Sequence, residues 1–289
     1  VLTKPLIRNT SAAGSGYYFY DLNAKFNHRF SDKDEVFLSG YFGRDVFSFS
    51  SADAGFGASI PWGNAMVSTR WNHLVTDKLF LNVHGTFSNY EFSFQSGQDD
   101  FEFGFDSGVK DWSGKAQLSW YPSLRHEVKG GVDYVFHEFV PTSFFFRQGD
   151  EEFDFGDAAV AYSHESSLYL EDGFDVSERF RVNAGLRGSD FRHVGPFTRI
   201  VPGTSVLEPG DTVTYGAGEL VQRYGGWEPR LSAQLNVGSQ SSVKAGYSIN
   251  YQYVHLASLS ATTTPTDIWL PSSDLVQPQR GRQWNAGYF

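Results

Sequence analysis

The chain of 289 residues contains no cysteine and a single methionine. Thiol nucleophiles, cysteine-based zinc sites and disulfide staples are therefore excluded. No window approaches the roughly 18 consecutive apolar residues of a membrane-crossing helix. Excess basic charge is also missing: 23 Lys and Arg stand against 33 Asp and Glu, for a formal net charge of -10. Nucleic-acid surfaces concentrate Lys and Arg, so nucleic acid is not an expected partner. The eight histidines form no H-E-x-x-H and no close pair at metal spacing, and there is no G-x-S-x-G elbow. His28 and His73 are expected near strand ends. Neither an enzyme nor a resident cofactor or metal is expected.

What the chain does have is aromatic residues (17%), 30 glycines and eleven stretches in which apolar and polar residues alternate. From Tyr18 to Phe30, Tyr20, Leu22, Ala24, Phe26, His28 and Phe30 share one face. Asp21, Asn23, Lys25, Asn27 and Arg29 share the other. At strand rise this amphipathic ribbon is about 40 Å long. Strands of soluble sandwiches run nearer five or six residues, whereas a tilted membrane strand needs about nine to eleven within lipid alone. The pattern predicts an all-β fold, an antiparallel up-and-down transmembrane β-barrel. Barrel strands hide their hydrophobicity in every second position, which reconciles a membrane location with the absence of long apolar runs.

Short polar turns recur at Ser31–Glu35, Val75–Lys78, Tyr121–Arg125, Ser177–Arg179 and Gly238–Ser241. Long connections are expected at 48–63, 95–110, 139–162, 194–227 and 257–282. Short turns on one rim and long loops on the other mark the periplasmic and extracellular ends of a barrel, so the long loops should face outside. A last strand begins at Trp284 and is too short to span. One residue breaks the lipid-facing set: Asp172 in the run Leu168, Leu170, Asp172, Phe174 must lie near an interface or find a partner. The acidic stretches Asp99-Asp100-Glu102-Asp106 and Asp150-Glu151-Glu152-Asp154-Asp157 match no EF-hand spacing and read as solvated loop charge. Phenylalanines alternate with those acids (Phe101, Phe103, Phe105, Phe153, Phe155), suggesting that the loops continue as strands above the membrane. Trp62, Trp227 and Trp269, in or beside the long loops, are candidate ligand-stacking residues, although anchoring or packing is the simpler reading of any one of them.

Several segments resemble the barrel of TonB-dependent outer-membrane receptors, particularly the Bacteroidota-type, SusC-like group with an upstream carboxypeptidase-like regulatory domain. Ser167–Arg187 is similar to a recurring hairpin in which a strand with an acidic residue returns into Gly-Leu-Arg. Trp227-Glu228-Pro229-Arg230-Leu231-Ser232 resembles a strand entry, and Ala245–Leu256 the aromatic strand that follows it. Thr264-Pro265-Thr266-Asp267-Ile268-Trp269-Leu270-Pro271-Ser272-Ser273 with Gln277-Pro278-Gln279 resembles a loop of that group. The resemblance covers about Tyr17 to Phe289.

Such receptors close about 22 strands around a plug, so residues 1–289 are expected to be about half of a barrel, with the plug and N-terminal domains outside this chain. Val1–Thr10 carry no signal-peptide pattern, so a leader is expected to be removed or to lie upstream. The resemblance implies energy-coupled uptake of a siderophore, oligosaccharide or peptide. The partners it implies are outer-membrane lipid, the TonB-ExbB-ExbD complex reached through the plug, a surface lipoprotein lid and the nutrient itself. A passive porin or structural barrel, and behind it a soluble glycan-binding β protein, remain as alternatives from the pattern alone.

Overall fold

A computed structural model describes residues 14–51, 55–149, 151–154, 160–201, 211–258 and 267–289. These residues form sixteen strands and no helix. In chain order the strands are β1 (Gly16–Arg29), β2 (Asp34–Ser51), β3 (Phe56–Thr76), β4 (Leu79–Gln98), β5 (Phe101–Ser123), β6 (His126–Gln148), β7 (Glu151–Asp154) and β8 (Ala161–Ser177). They continue as β9 (Phe180–Val194), β10 (Phe197–Val201), β11 (Asp211–Tyr215), β12 (Leu220–Asn236), β13 (Ser242–Gln252), β14 (Val254–Ala257), β15 (Ile268–Pro271) and β16 (Gln279–Tyr288).

Eleven of them line up antiparallel in the order β1-β2-β3-β4-β5-β6-β8-β9-β12-β13-β16, and β7 pairs with β6 beside that path. The eleven amphipathic stretches thus become one meandering sheet. β1 and β16 stand at its two ends, and the sheet does not close among the described residues. Two small hairpins, β10–β11 and β14–β15, form separate two-stranded sheets.

The tight turns are those expected. Phe30 N–H donates to the Asp34 carbonyl at 2.9 Å, and the Ser31 hydroxyl donates to the Asp34 carboxylate at 2.8 Å. On the other rim the connections are shorter than expected, and at Phe101–Phe105 and Phe153 the strands continue above the membrane as the alternating phenylalanines suggested. Residues 48–63, 95–110 and 139–162 are mostly strand: β2 and β3 pair as far as Ser51 opposite Phe56, and β4 and β5 as far as Gln98 opposite Phe101. Asp99 takes the tight corner between β4 and β5 with φ of 53°, a left-handed conformation that Asp tolerates better than most residues. The alternating phenylalanines were the signal, and they hold paired backbone well past the membrane.

The last strand is also longer than the sequence pattern indicates. It starts at Gln279, because Gln279–Gln283 pairs with β13 despite having no apolar alternation of its own. His28 and His73 lie near strand ends, as expected. Asp172 has found its partner: His126 Nδ1 lies 2.7 Å from its carboxylate, and the His126 ring stacks on Phe174 at 4.4 Å.

Side-chain parity separates the two faces. Leu22, Phe26, Leu38, Phe42, Val67, Trp71, Trp112, Leu118, Val132, Leu168, Leu170, Leu186, Leu231 and Leu235 are all exposed on one face. A band of large apolar side chains left in the open is what a lipid-facing wall requires. Asn72, Arg70, His84, Gln117, Lys115, Asp133 and Arg187 occupy the opposite, inner face.

Candidate functional site

The inner face of β5–β12 carries a cross-strand network of charge. Asp133 of β6 accepts from Arg187 of β9 at 3.1 Å and from the Ser167 hydroxyl of β8 at 3.2 Å, with Lys115 of β5 at 3.5 Å. Arg187 also lies 3.9 Å from both Glu165 of β8 and Glu228 of β12, and Arg230 is 3.8 Å from Glu228. Glu228 is only 4% exposed. A carboxylate so far from water needs charged partners, and two arginines supply them. Nearby, Tyr169 donates to Gln117 at 2.6 Å, and His137 meets Asp111 at 2.7 Å. The strand register brings these residues together across five strands, and no local motif announces them.

Toward the rim with the longer connections the inner face changes character. Phe92, Phe94, Phe103, Phe105 and Phe144 form one continuous cluster with ring centroids 5.4–6.5 Å apart. Phe101, Phe146 and Phe153 extend it, with centroids at 4.5 and 5.4 Å. The outer face of the same strands carries Glu91, Ser93, Gln95, Glu102 and Arg147 at these heights. The hydrophobic phase therefore inverts along β2 to β5, apolar outward in the lower half and apolar inward in the upper, and in β6 a register shift opposite Asp106–Gly108 turns Phe144 and Phe146 inward.

Below the phenylalanines the β14–β15 hairpin folds onto the inner face, against β5, β6 and β8. Its base is fixed by the Ser272 N–H donating to the Tyr253 carbonyl at 2.8 Å and by His255 Nε2 at 2.9 Å from the Ser272 hydroxyl. Tyr253 stacks on Phe191 at 5.1 Å, with its hydroxyl 2.7 Å from Ser189 Oγ. The wall residues under the hairpin, Phe92, Ser107, His137, Phe139 and Ser163, are buried. Burial pushes His255 below the usual histidine range. It also raises Tyr90, with the Asp267 carboxylate adding to the rise.

All three candidate tryptophans lie in strands. Trp62 is in β3, opposite Asp45 and Phe92, and its ring stacks on Tyr17 at 6.2 Å on the inner face. Trp269 is in β15, within the infolded hairpin. Trp227 points the other way. It is 69% exposed, shares the parity of Leu231 and Leu235, and its ring covers Gly188, where a Cβ would meet it at 2.9 Å. Glycine makes the room for that lipid-facing indole. The structure thus brings Trp62 and Trp269 to the inner side and leaves Trp227 in the aromatic girdle.

Of the acidic stretches, Glu102 pairs with Arg147 at 2.9 Å and Asp106 accepts from the Ser93 hydroxyl. Asp150, Phe155 and Asp157 lie outside the described residues, as do Thr264–Thr266 and Val1–Thr10. No three metal-ligating side chains gather among the described residues.

The family described as "TonB dependent receptor-like, beta-barrel" matches residues 4–288. No curated protein sequence matches the chain. Among solved structures it is similar to the copper transporter OprC, with a TM-score of 0.68 and 12% identity over 95% of this chain and 43% of that one. It is similar to BauA, the ferric preacinetobactin receptor from Acinetobacter baumannii, with a TM-score of 0.62 and 11% identity over 97% and 45%. The RagAB peptide transporter gives a TM-score of 0.57 and 10% identity over 95% and 38%. At these identities the likeness is one of fold. The chain spans less than half the length of each.

Proposed function

This chain belongs to the β-barrel family of TonB-dependent receptors, and from that premise we propose that it is about half the wall of a roughly 22-stranded plugged receptor importing a bulky nutrient. The strands lie in the bacterial outer membrane. The observation that carries the proposal is the family match over residues 4–288. The inner face supports it: a network of fixed ion pairs offers a plug a polar seat, and the phenylalanines above offer an arriving ligand aromatic faces on which rings and apolar side chains stack. Siderophores, oligosaccharides and peptides all present such surfaces. On this reading Trp62 and Trp269, on the inner side, add aromatic faces for the ligand, and Trp227, on the lipid side, anchors the wall.

On this reading energy reaches the barrel from the TonB-ExbB-ExbD complex through a plug supplied by the rest of the polypeptide, and a surface lipoprotein covers the mouth. The SusC-like part of the proposal rests on the resemblance of Thr264–Ser273 with Gln277-Pro278-Gln279, of which Ile268–Pro271 forms β15 against the inner wall. The wall itself performs no bond chemistry.

The native protein, extracted in detergent and reconstituted in a planar bilayer, tests the reading. A plugged receptor passes no steady ion current, and its intact mass exceeds 32.4 kDa about twofold. A constant open conductance at a mass near 32.4 kDa overturns it in favour of a passive barrel.

A further inference from the structure

On the outer face of β9 and β12, just above the apolar band, Arg192 and Arg223 stand directly opposite each other in register. Both are more than half exposed, at 53% and 58% of the side chain. Each gives its Nε to the same carboxylate: Arg192 to Asp190 Oδ2 at 2.7 Å and Arg223 to Asp190 Oδ1 at 2.5 Å. One half-buried carboxylate thus clamps two guanidiniums by their inner nitrogens, in bonds that do not use the terminal NH2 groups of either exposed side chain. The cluster carries a net charge of +1. The neighbouring outer-face pair of Lys110 and Glu138, at 2.9 Å, is neutralised one for one.

The surroundings set the depth. Trp227, two positions from Gly225 opposite Asp190, belongs to the girdle. On β6 and β8, Tyr134 bonds His164 at 2.7 Å, and Phe136 stacks on Tyr162 at 6.0 Å. Apolar chains lie below this level and water above it. The rim is the extracellular one, because the tight turns are at the other end. A group here meets the headgroups of the outer leaflet, where a fork of paired arginine NH2 groups matches the oxygens of a phosphate.

We propose that Arg192 and Arg223 form a binding site for the phosphate of an anionic glycolipid of the outer leaflet, with the sugar ring lying along the Tyr134–His164–Trp227 aromatics. The site faces lipid whatever fills the lumen, so it depends on the membrane location and not on import.

Native mass spectrometry of the delipidated full-length protein in detergent tests it, with phosphorylated lipid A, dephosphorylated lipid A and inorganic phosphate as probes. Wild type should retain phosphorylated lipid A about tenfold more strongly than the dephosphorylated form. R192Q/R223Q should lose that margin. R125Q/R179Q, which removes the same charge from the opposite turns, should keep it, and so should D190N, because the arginines remain. Equal retention of both lipids by wild type, an unchanged margin in R192Q/R223Q, or its loss in R125Q/R179Q overturns the proposal. Loss of the margin in D190N also does so, since it makes the triad a structural ion cluster only. Displacement of lipid A by millimolar inorganic phosphate would identify a free-anion site instead. Should R192Q/R223Q fail to fold, as judged by heat-modifiable migration, the wild-type lipid comparison and D190N decide.

Discussion

β5 is two surfaces in one strand. From Trp112 to Trp120 its outward side chains are Trp112, Gly114, Ala116, Leu118 and Trp120, and its inward ones Ser113, Lys115, Gln117 and Ser119. From Phe101 to Gly108 the outward set is Glu102, Gly104, Asp106 and Gly108, and the inward set Phe101, Phe103, Phe105 and Ser107. The pairing with β4 runs without a shift through this change, so the backbone does not rotate; the solvent does. Lipid on the outside selects apolar residues there, and water on the outside selects them for the interior. The level at which the phase inverts, marked by Phe42, Phe87, Trp112, Phe136 and Trp227, locates the outer membrane boundary from side chains alone. A strand of 23 residues has more than twice the nine to eleven that lipid demands, which is how one wall serves both environments.

If the upper half is an ordinary protein core on its inner side, a cavity there should cost most. Phe139 is fully buried beneath the β14–β15 hairpin. Phe139→Ala should destabilise the fold by about 3–5 kcal/mol, read as a fall in the urea midpoint of the detergent-solubilised or bilayer-folded protein, with hairpin residues losing exchange protection first. A loss under about 1 kcal/mol would mean that the hairpin is not docked.

The lower half should instead be sensitive on its outside. Leu170→Arg places a guanidinium in the middle of the apolar band and should cost about 2–4 kcal/mol. Gln95→Arg, with the same outward parity but above the boundary, should stay within about 0.5 kcal/mol. Equal penalties from the same folding assay in bilayers would erase the boundary drawn here. Charge pairs sharpen the contrast further. A double-mutant cycle on Asp133–Arg187, about a fifth exposed and supported by Ser167 and Lys115, should return about 1.5–3 kcal/mol of coupling. The exposed Glu102–Arg147 pair should return about 0.2–1 kcal/mol, diminishing with salt.

How much of this was legible follows from the same inversion. The lower halves were readable because lipid enforces a strict two-residue period, and all eleven wall strands could be found from it. The upper halves read as loops because the expected phase ended at residues such as Phe47 and Phe94, and an inverted period resembles irregularity until the strand is known to continue. The acid and phenylalanine alternation at 101–106 was the available clue. The start of β16 had none, since Gln279–Gln283 is polar on both faces. Trp227 was readable in principle: its parity is that of Leu231 and Leu235. The Arg192–Asp190–Arg223 cluster and the Asp133–Arg187–Glu228 network were not, because each joins strands through register. The infolding of β14–β15 leaves no periodic mark.

The smallest expected effect lies at the opposite rim. Asp34, at the first tight turn, accepts from the Ser31 hydroxyl, from Trp71 Nε1 at 3.1 Å and from His73 at 2.7 Å. The Ser31 and His73 hydrogen bonds hold its carboxyl below the usual carboxylate range. A carboxyl with a folded pKa below its unfolded one binds fewer protons when folded, so its contribution is present at neutral pH. That contribution disappears as pH falls through the ordinary carboxylate range toward the depressed folded value. Asp34→Asn should therefore flatten the acid limb of stability against pH while leaving the slope above pH 6 unchanged. The side chain is about a third exposed and open to screening by solvent, so the difference should be slight, visible in paired pH titrations of the urea midpoint. It should also be confined to the turn: if D34N shifted unfolding equally at every pH, the turn would be acting through packing and the carboxylate would not be the group that titrates.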